Sequence, residues 1–194
     1  INCLKTLGKS IKYSNHKVTI KTNCDINDLP DVLEFDCNES GSTLRFFIPI
    51  ALTTGKKVVF KGSKRLIQRG ILPYEEIFKE QGILVLKEEE SLTFLGKLKS
   101  GIFNVSGNIS SQFITGLLFS LPLLDGDSKI VLTTNLESSN YVDITLDTIK
   151  KAGVHIETAL NGYIVKGNQQ YISNNYYVES DYSNAAFFDA FFFF

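Results

Sequence analysis

Residues 102–121, IFNVSGNISSQFITGLLFSL, contain three successive patterns that together predict the fold. Residues 102–105 are mainly β-branched or aromatic, which is typical of a short strand. Small polar residues follow from Ser106 to Ser111, the composition of a turn. Residues 112–121 are hydrophobic nearly all round, as a buried helix should be. The stretch therefore predicts a strand that turns directly into a helix inside the core.

The same arrangement occurs twice more along the chain. Residues 32–35 predict a strand, residues 40–42 a turn, and residues 43–52 a second apolar helix. A partial third copy is predicted near the end of the sequence, with a strand at 176–178 and a helix at 184–188. Internal repetition of this kind indicates that the fold is built from copies of one unit.

Glycines mark the other repeated feature, in which an amphipathic helix is followed by a hairpin. Gly8, Gly82 and Gly153 each follow such a helix, as expected for a left-handed C-cap. The predicted helices cover 1–7, 74–81 and 141–152, the hairpins 11–21, 83–95 and 154–165, and further strands 56–60 and 129–133.

Each full unit is therefore predicted to run β-α-β-α-β-β. Residues 31–95 and 102–165 form two complete copies, residues 1–21 the end of an earlier copy, and residues 176–194 the start of a later one. One unit cannot cover both faces of its sheet, so we expect the copies to pack around shared buried helices. The fold class is predicted to be α/β (α+β).

Composition excludes several classes of protein. The 194 residues are 43% hydrophobic and 21% charged, an ordinary globular mixture, and the net charge of -1 disfavours nucleic-acid binding. The three cysteines form no CxxC pair and there are only two histidines, so we expect no metal site. The odd number of cysteines favours reduced thiols in a cytoplasmic protein. No apolar run reaches about 18 residues, so no membrane association is predicted.

The strand-to-helix joints are the candidate binding segments. Residues 36–45, 107–113 and 137–141 are rich in glycine and hydroxyl side chains where helices begin. Exposed N–H groups and the helix dipole suit an anion at such a joint, although simple N-capping explains them equally well. One serine, Ser110, is enough to cap the helix. The additional polar side chains of Ser111 and Gln112 therefore favour a ligand at the second joint.

Two arginines receive different interpretations. Residues 56–69 contain six basic side chains and no acid, and Arg69 is retained as a candidate anion ligand because it precedes a helix. Arg45 lies inside an apolar helix, and we expect it to be structural and paired with a carboxylate. The sequence contains no P-loop, dinucleotide fingerprint, nucleophile elbow or evident acid–base pair.

These segments resemble the 5-enolpyruvylshikimate-3-phosphate synthase family, in order and in spacing, over nearly the whole chain. The matching stretches include DCNESGSTLRF at 36–46, GNISSQF at 107–113, SSNY at 138–141 and VESDYS at 178–183. The resemblance implies an enolpyruvyl transferase fold of two domains, each with three βαβαββ units around a pseudo-threefold axis.

The resemblance also implies an activity, in the shikimate pathway to aromatic amino acids. Family members transfer the enolpyruvyl group of phosphoenolpyruvate to the 5-hydroxyl of shikimate 3-phosphate and release phosphate, without a cofactor, and are the target of glyphosate. By position, the implied ligands of shikimate 3-phosphate are Ser110, Ser111, Gln112, Ser138 and Tyr141. Those of phosphoenolpyruvate are Gly41, Arg69 and Gln112.

The resemblance further predicts an incomplete enzyme. Residues 1–178 would form the shikimate 3-phosphate-binding domain without its first βαβ segment, and residues 179–194 would begin a second domain. The family's acid–base residues would lie outside this chain, so we expect no catalytic residue here and no turnover by the chain alone. The whole enzyme is expected to be a cytoplasmic monomer. Residues 185–194 are expected to form an unpartnered helix.

Departures from the family leave alternatives open. Glu39 stands where the family commonly has asparagine and would repel an anion unless it points away, and Gly70 replaces a common proline. A related UDP-N-acetylglucosamine enolpyruvyl transferase would have the same fold, but residues 61–68 lack the reactive cysteine typical of that family. A non-catalytic repeat module that binds a protein partner is the alternative from another class.

Overall fold

Two complete repeat units dominate the computed structural model, which describes residues 1–22 and 24–178. The first unit comprises β3 (Val32–Asp36), α2 (Gly41–Leu52), β4 (Lys57–Lys61), α3 (Lys64–Gln68), α4 (Leu72–Glu80), β5 (Leu84–Lys87) and β6 (Ser91–Leu95). The second comprises β7 (Ile102–Val105), α5 (Ser111–Ser120), β8 (Ser128–Leu132), α6 (Ser139–Lys151), β9 (Ile156–Ala159) and β10 (Gly162–Val165). They are preceded by α1 (Asn2–Thr6), β1 (Lys9–Ser14) and β2 (Lys17–Thr22).

The two units have the same sheet topology. Their strand orders are β3-β4-β6-β5 and β7-β8-β10-β9, with the first pair parallel and the other two pairs antiparallel. A parallel pair needs a crossover connection, and α2 and α5 supply it. The predicted β-α-β-α-β-β unit is therefore confirmed in both copies, with the short α3 as an addition.

The buried helices α2 and α5 pack against each other at the centre of the molecule. Pro49 has no N–H, so the Arg45 carbonyl one turn earlier lacks its usual helical partner. The buried Tyr74 hydroxyl lies 2.8 Å from that carbonyl and 2.9 Å from the Phe113 carbonyl of α5. Gly116 lies at the same crossing, where a Cβ atom would come within 2.5 Å of the Arg45 carbonyl oxygen. The predicted shared helical core is confirmed.

The predicted helix ends are also confirmed at the three marking glycines, since Gly8, Gly82 and Gly153 all have φ between 71° and 82°. One prediction is wrong: residues 176–178 belong to no strand, because no neighbouring strand pairs with them among the described residues. The predicted helices at 184–188 and 185–194 lie outside the described residues. Within the described part of the chain, no helix has the length and hydrophobicity needed to cross a bilayer.

Candidate functional site

Three helices begin around one cavity of about 640 Å³. Ser42 lies in the first turn of α2, Ser111 is the first residue of α5, and Ser138 immediately precedes α6; all three line the cavity. Each helix start carries roughly half a positive charge from its dipole. Three such ends beside one opening create a positive potential without any cationic side chain in the lining.

The structure brings the five predicted shikimate 3-phosphate ligands together, although they come from two separate joints. Ser110, Ser111, Gln112, Ser138 and Tyr141 all line this cavity. Their role as ligands stays a prediction, but their convergence is what such a role requires. The remaining lining residues are Ser42, Phe46, Ile109, Thr115, Phe119, Ile144, Thr145 and Thr148.

Gly107 allows the joints before α5 and α6 to approach each other closely. A Cβ atom at Gly107 would lie 2.8 Å from the Asn135 carbonyl oxygen and 2.9 Å from the Leu136 α-carbon. The Glu137 N–H donates to the Gly107 carbonyl at 3.0 Å, which links the two joints. A side chain at position 107 would therefore push Ser138 away from Ser110.

The serines at the two joints differ in how their hydroxyls are used. The Ser110 hydroxyl accepts a hydrogen bond from the Gln112 N–H at 3.3 Å and so caps α5. Ser138 makes no capping hydrogen bond and has a left-handed backbone with φ 58° and ψ 43°. This conformation is unfavourable for residues other than glycine. The exposed Ser138 hydroxyl is thus held at the cavity by a strained backbone while its capping capacity is unused.

The predicted phosphoenolpyruvate residues lie beside the cavity, around Gly41. A methyl group on the Gly41 α-carbon would lie 3.5 Å from Arg45 Nη1 and 3.7 Å from Arg69 Nη1. Arg45 Nη1 donates to Gln112 Oε1 at 2.7 Å, which connects this group to the cavity wall. Arg69 is exposed at the end of α3, directly before α4 as expected.

The prediction that Arg45 pairs with a carboxylate is wrong. Arg45 is only 8% exposed, and no acid forms an ion pair with it among the described residues. Its guanidinium carbon lies 4.9 Å from the Phe113 ring centroid, and no group in the described part of the chain forms a hydrogen bond with its Nε. Burial lowers the pKa of Arg45, and the nearby positive charge of Arg69 lowers it further. Its guanidinium donates instead to the Gln112 amide oxygen at 2.7 Å.

Glu39 points away from these groups. Its side chain is exposed and lines a separate surface cleft with Asp36, Lys61 and Glu88. The repulsion expected from a carboxylate next to the anion site is therefore reduced by this orientation. Within residues 1–22 and 24–178, no cluster of three or more histidine, cysteine or acidic side chains is arranged to hold a metal ion.

The sequence of this chain also matches a known protein family. The family model described as EPSP synthase (3-phosphoshikimate 1-carboxyvinyltransferase) matches residues 1–191. The chain belongs to the EPSP synthase family. A 3-phosphoshikimate 1-carboxyvinyltransferase of Clostridium perfringens (strain SM101 / Type A) is 51% identical over 190 residues, covering 95% of this chain and 44% of that protein. One of Clostridium novyi (strain NT) is 54% identical over 158 residues, 79% of this chain and 36% of that protein.

The family fold is present as well. An EPSP synthase structure from Acinetobacter baumannii superposes with a TM-score of 0.74 at 17% identity, covering 96% of this chain and 42% of that one. The α/β repeat architecture predicted from the sequence is therefore that of an EPSP synthase. The chain spans less than half the length of the curated relatives it matches.

Several lining residues of this EPSP synthase family cavity were missed by motif-based reasoning. Helical spacing could have revealed them, since the missed Thr115 and Phe119 lie three and seven positions after the predicted Gln112, on one face of α5. On α6, the missed Thr145 and Thr148 lie four and seven positions after the predicted Tyr141. The Thr115 and Thr145 hydroxyls are 3.1 Å apart and join these two faces at the cavity.

Proposed function

We propose that this chain is the shikimate 3-phosphate-binding domain of an enzyme that transfers the enolpyruvyl group of phosphoenolpyruvate to shikimate 3-phosphate. In that reaction the 5-hydroxyl adds across the enol double bond, and elimination of phosphate restores the double bond. Residues 1–178 form this domain and residues 179–194 begin the next. The whole enzyme is proposed to be a cytoplasmic monomer, without a metal or organic cofactor.

The convergence of three helix starts on one cavity is the observation that carries the proposal. A cavity of about 640 Å³ is within the range of roughly 300–1,000 Å³ that is typical of small-molecule sites. Its hydroxyls suit a sugar-like ring with several hydroxyl groups, and its apolar residues suit the carbon face of that ring. The helix starts suit a phosphate.

Each predicted residue has a distinct task in this proposal. Ser111 and Ser138 donate hydroxyl hydrogen bonds to the phosphate, with Ser110 positioned by its cap on α5. Gln112 contacts both substrates through its amide. Tyr141, which is 63% exposed in the free chain, covers the ring when shikimate 3-phosphate binds.

Phosphoenolpyruvate is proposed to bind beside Gly41. The Arg69 guanidinium can form a bidentate pair with its carboxylate or phosphate. Gly41 lets the ligand approach the backbone at the start of α2, because no Cβ occupies the space between the two guanidinium groups.

Proton transfer is assigned to groups outside this cavity lining. Within the described residues, the cavity lining contains no carboxylate, imidazole or amine. The domain therefore orients the substrates and supplies positive potential, while acid–base catalysis is assigned to the remainder of the enzyme. We propose that the chain alone binds shikimate 3-phosphate weakly and does not turn it over.

Titration with shikimate 3-phosphate tests the binding role. In NMR spectra of the chain, the amide signals of residues 110–112 and 138–141 are expected to shift together. Ser138→Ala should weaken binding by about 10- to 100-fold, the range for loss of a hydrogen bond to a charged group. Ser106→Ala is the matched control, since the Ser106 hydroxyl faces Thr133 at 3.4 Å and does not line the cavity.

Phosphate release tests the reaction in the full-length protein. The enzyme should release phosphate when phosphoenolpyruvate and shikimate 3-phosphate are both present. Replacing shikimate 3-phosphate with UDP-N-acetylglucosamine should abolish this release. Signals that stay in place at millimolar shikimate 3-phosphate, or equal release with both acceptors, would reject the proposal. Loss of affinity in Ser106→Ala comparable to that in Ser138→Ala would also reject the assigned site.

A further inference from the structure

Arg45 is a buried cation with no counterion among residues 1–22 and 24–178. At 8% exposure it is surrounded by the α2–α5 packing, and its Nε has no hydrogen-bond partner in the described part of the chain. Burying a charge without an ionic partner is unfavourable, and a second guanidinium nearby increases the cost by repulsion. A group kept in such a position is a candidate for a task that a neutral side chain could not perform.

The contact between Arg45 and Gln112 determines which way the amide faces. Arginine has donors only, so the Gln112 group 2.7 Å from Nη1 must be its oxygen. The amide nitrogen then lies on the other branch of the same planar group. Among the described residues this NH₂ makes no hydrogen bond within the chain, and Gln112 lines the cavity.

We infer that Arg45 is a positioning residue, which holds the Gln112 amide so that its NH₂ faces the bound anion beside Gly41. The guanidinium also adds positive charge to the space shared with Arg69. This inference rests on the proposed function, since the anion in question is phosphoenolpyruvate.

A double-mutant cycle in the full-length enzyme tests the inference. Arg45→Met should raise the KM for phosphoenolpyruvate by about 10- to 100-fold, as expected when a hydrogen bond to a charged group is lost. In the Gln112→Ala background the same change should have less than about a third of that effect, because the residues act as a unit. The Kd for shikimate 3-phosphate should change less than about threefold in the single Arg45 variant.

Two further variants keep the test decisive. Arg45→Lys retains the charge and an N–H donor group that can reach Gln112, so it should recover a large part of the affinity lost in Arg45→Met. If Arg45→Met does not fold, Arg45→Lys is compared in the two backgrounds instead, with the same expected dependence on Gln112. Tyr74→Phe is the control for general loosening of the α2–α5 contact, and its KM for phosphoenolpyruvate should stay within about twofold of the wild type.

The outcomes separate this inference from the proposed function. No phosphate release by the wild-type full-length enzyme would overturn the proposed function. Release by the wild type, with equal effects of the Arg45 substitution in both backgrounds or no effect at all, would overturn the positioning role alone. An increase in KM in Tyr74→Phe as large as that in Arg45→Met would also overturn it.

Discussion

Replacement of Ser138 by glycine should make the protein more stable and a weaker binder at the same time. Ser138 is held at φ 58° and ψ 43° immediately before α6. A left-handed backbone costs a non-glycine residue about 1–2 kcal/mol, and glycine escapes this cost. The serine is retained at a position where backbone energetics alone would favour glycine.

The expected net gain in the free energy of unfolding is the difference between two opposing contributions. Glycine removes the left-handed strain, but its greater freedom in the unfolded chain costs roughly 0.5–1 kcal/mol. A net stabilisation of about 0.5–1 kcal/mol is expected for Ser138→Gly, and none for Ser138→Ala, which keeps the strain. Both variants lose the hydroxyl, which has no capping role to forfeit, so both should lose affinity for shikimate 3-phosphate by about 10- to 100-fold.

Thermal unfolding and calorimetric titration of the full-length protein and its two variants would measure these effects. The unfolding temperature of Ser138→Gly should exceed that of Ser138→Ala by about 1–4 °C. Equal unfolding temperatures would show that the left-handed strain does not exceed the unfolded-state cost of glycine, contrary to this estimate. Unchanged affinity in both variants would show that the hydroxyl does not contact the ligand.

Gly41→Ala should leave the unfolding temperature unchanged or slightly higher, because the new methyl group makes only ordinary contacts at 3.5 and 3.7 Å, yet steady-state kinetics should show about a tenfold higher KM for phosphoenolpyruvate. Tyr74→Phe should lower stability by about 1–3 kcal/mol in chemical denaturation, since the buried Arg45 carbonyl loses its partner; a loss below about 0.3 kcal/mol would contradict this. Burial, followed by the charge of Cys3, raises the pKa of Cys37 to about 12. The free energy of unfolding should therefore be highest below the unfolded-state thiol pKa of about 8.5 and should fall as pH rises toward 12. In Cys37→Ala this fall should be less steep. Parallel pH profiles of wild type and Cys37→Ala would contradict that assignment.

Local sequence was sufficient for the repeat and its elements. The glycines that end the amphipathic helices, such as Gly82 and Gly153, required only their own backbone preference, and both have positive φ. The buried helices followed from uninterrupted hydrophobicity. The prediction failed at residues 176–178, where strand propensity was present but no strand among the described residues pairs with this segment.

Tertiary structure alone decided how the site is assembled. The sequence determined that Ser110 and Ser138 lie at helix starts, because hydroxyl-rich joints and helix periodicity are local properties. It could not determine that Ser138 is left-handed and uncapped, or that Arg45 faces Gln112 rather than a carboxylate. Those features depend on how α2, α5 and α6 from two repeat units pack together, and distances between units are not encoded in local spacing.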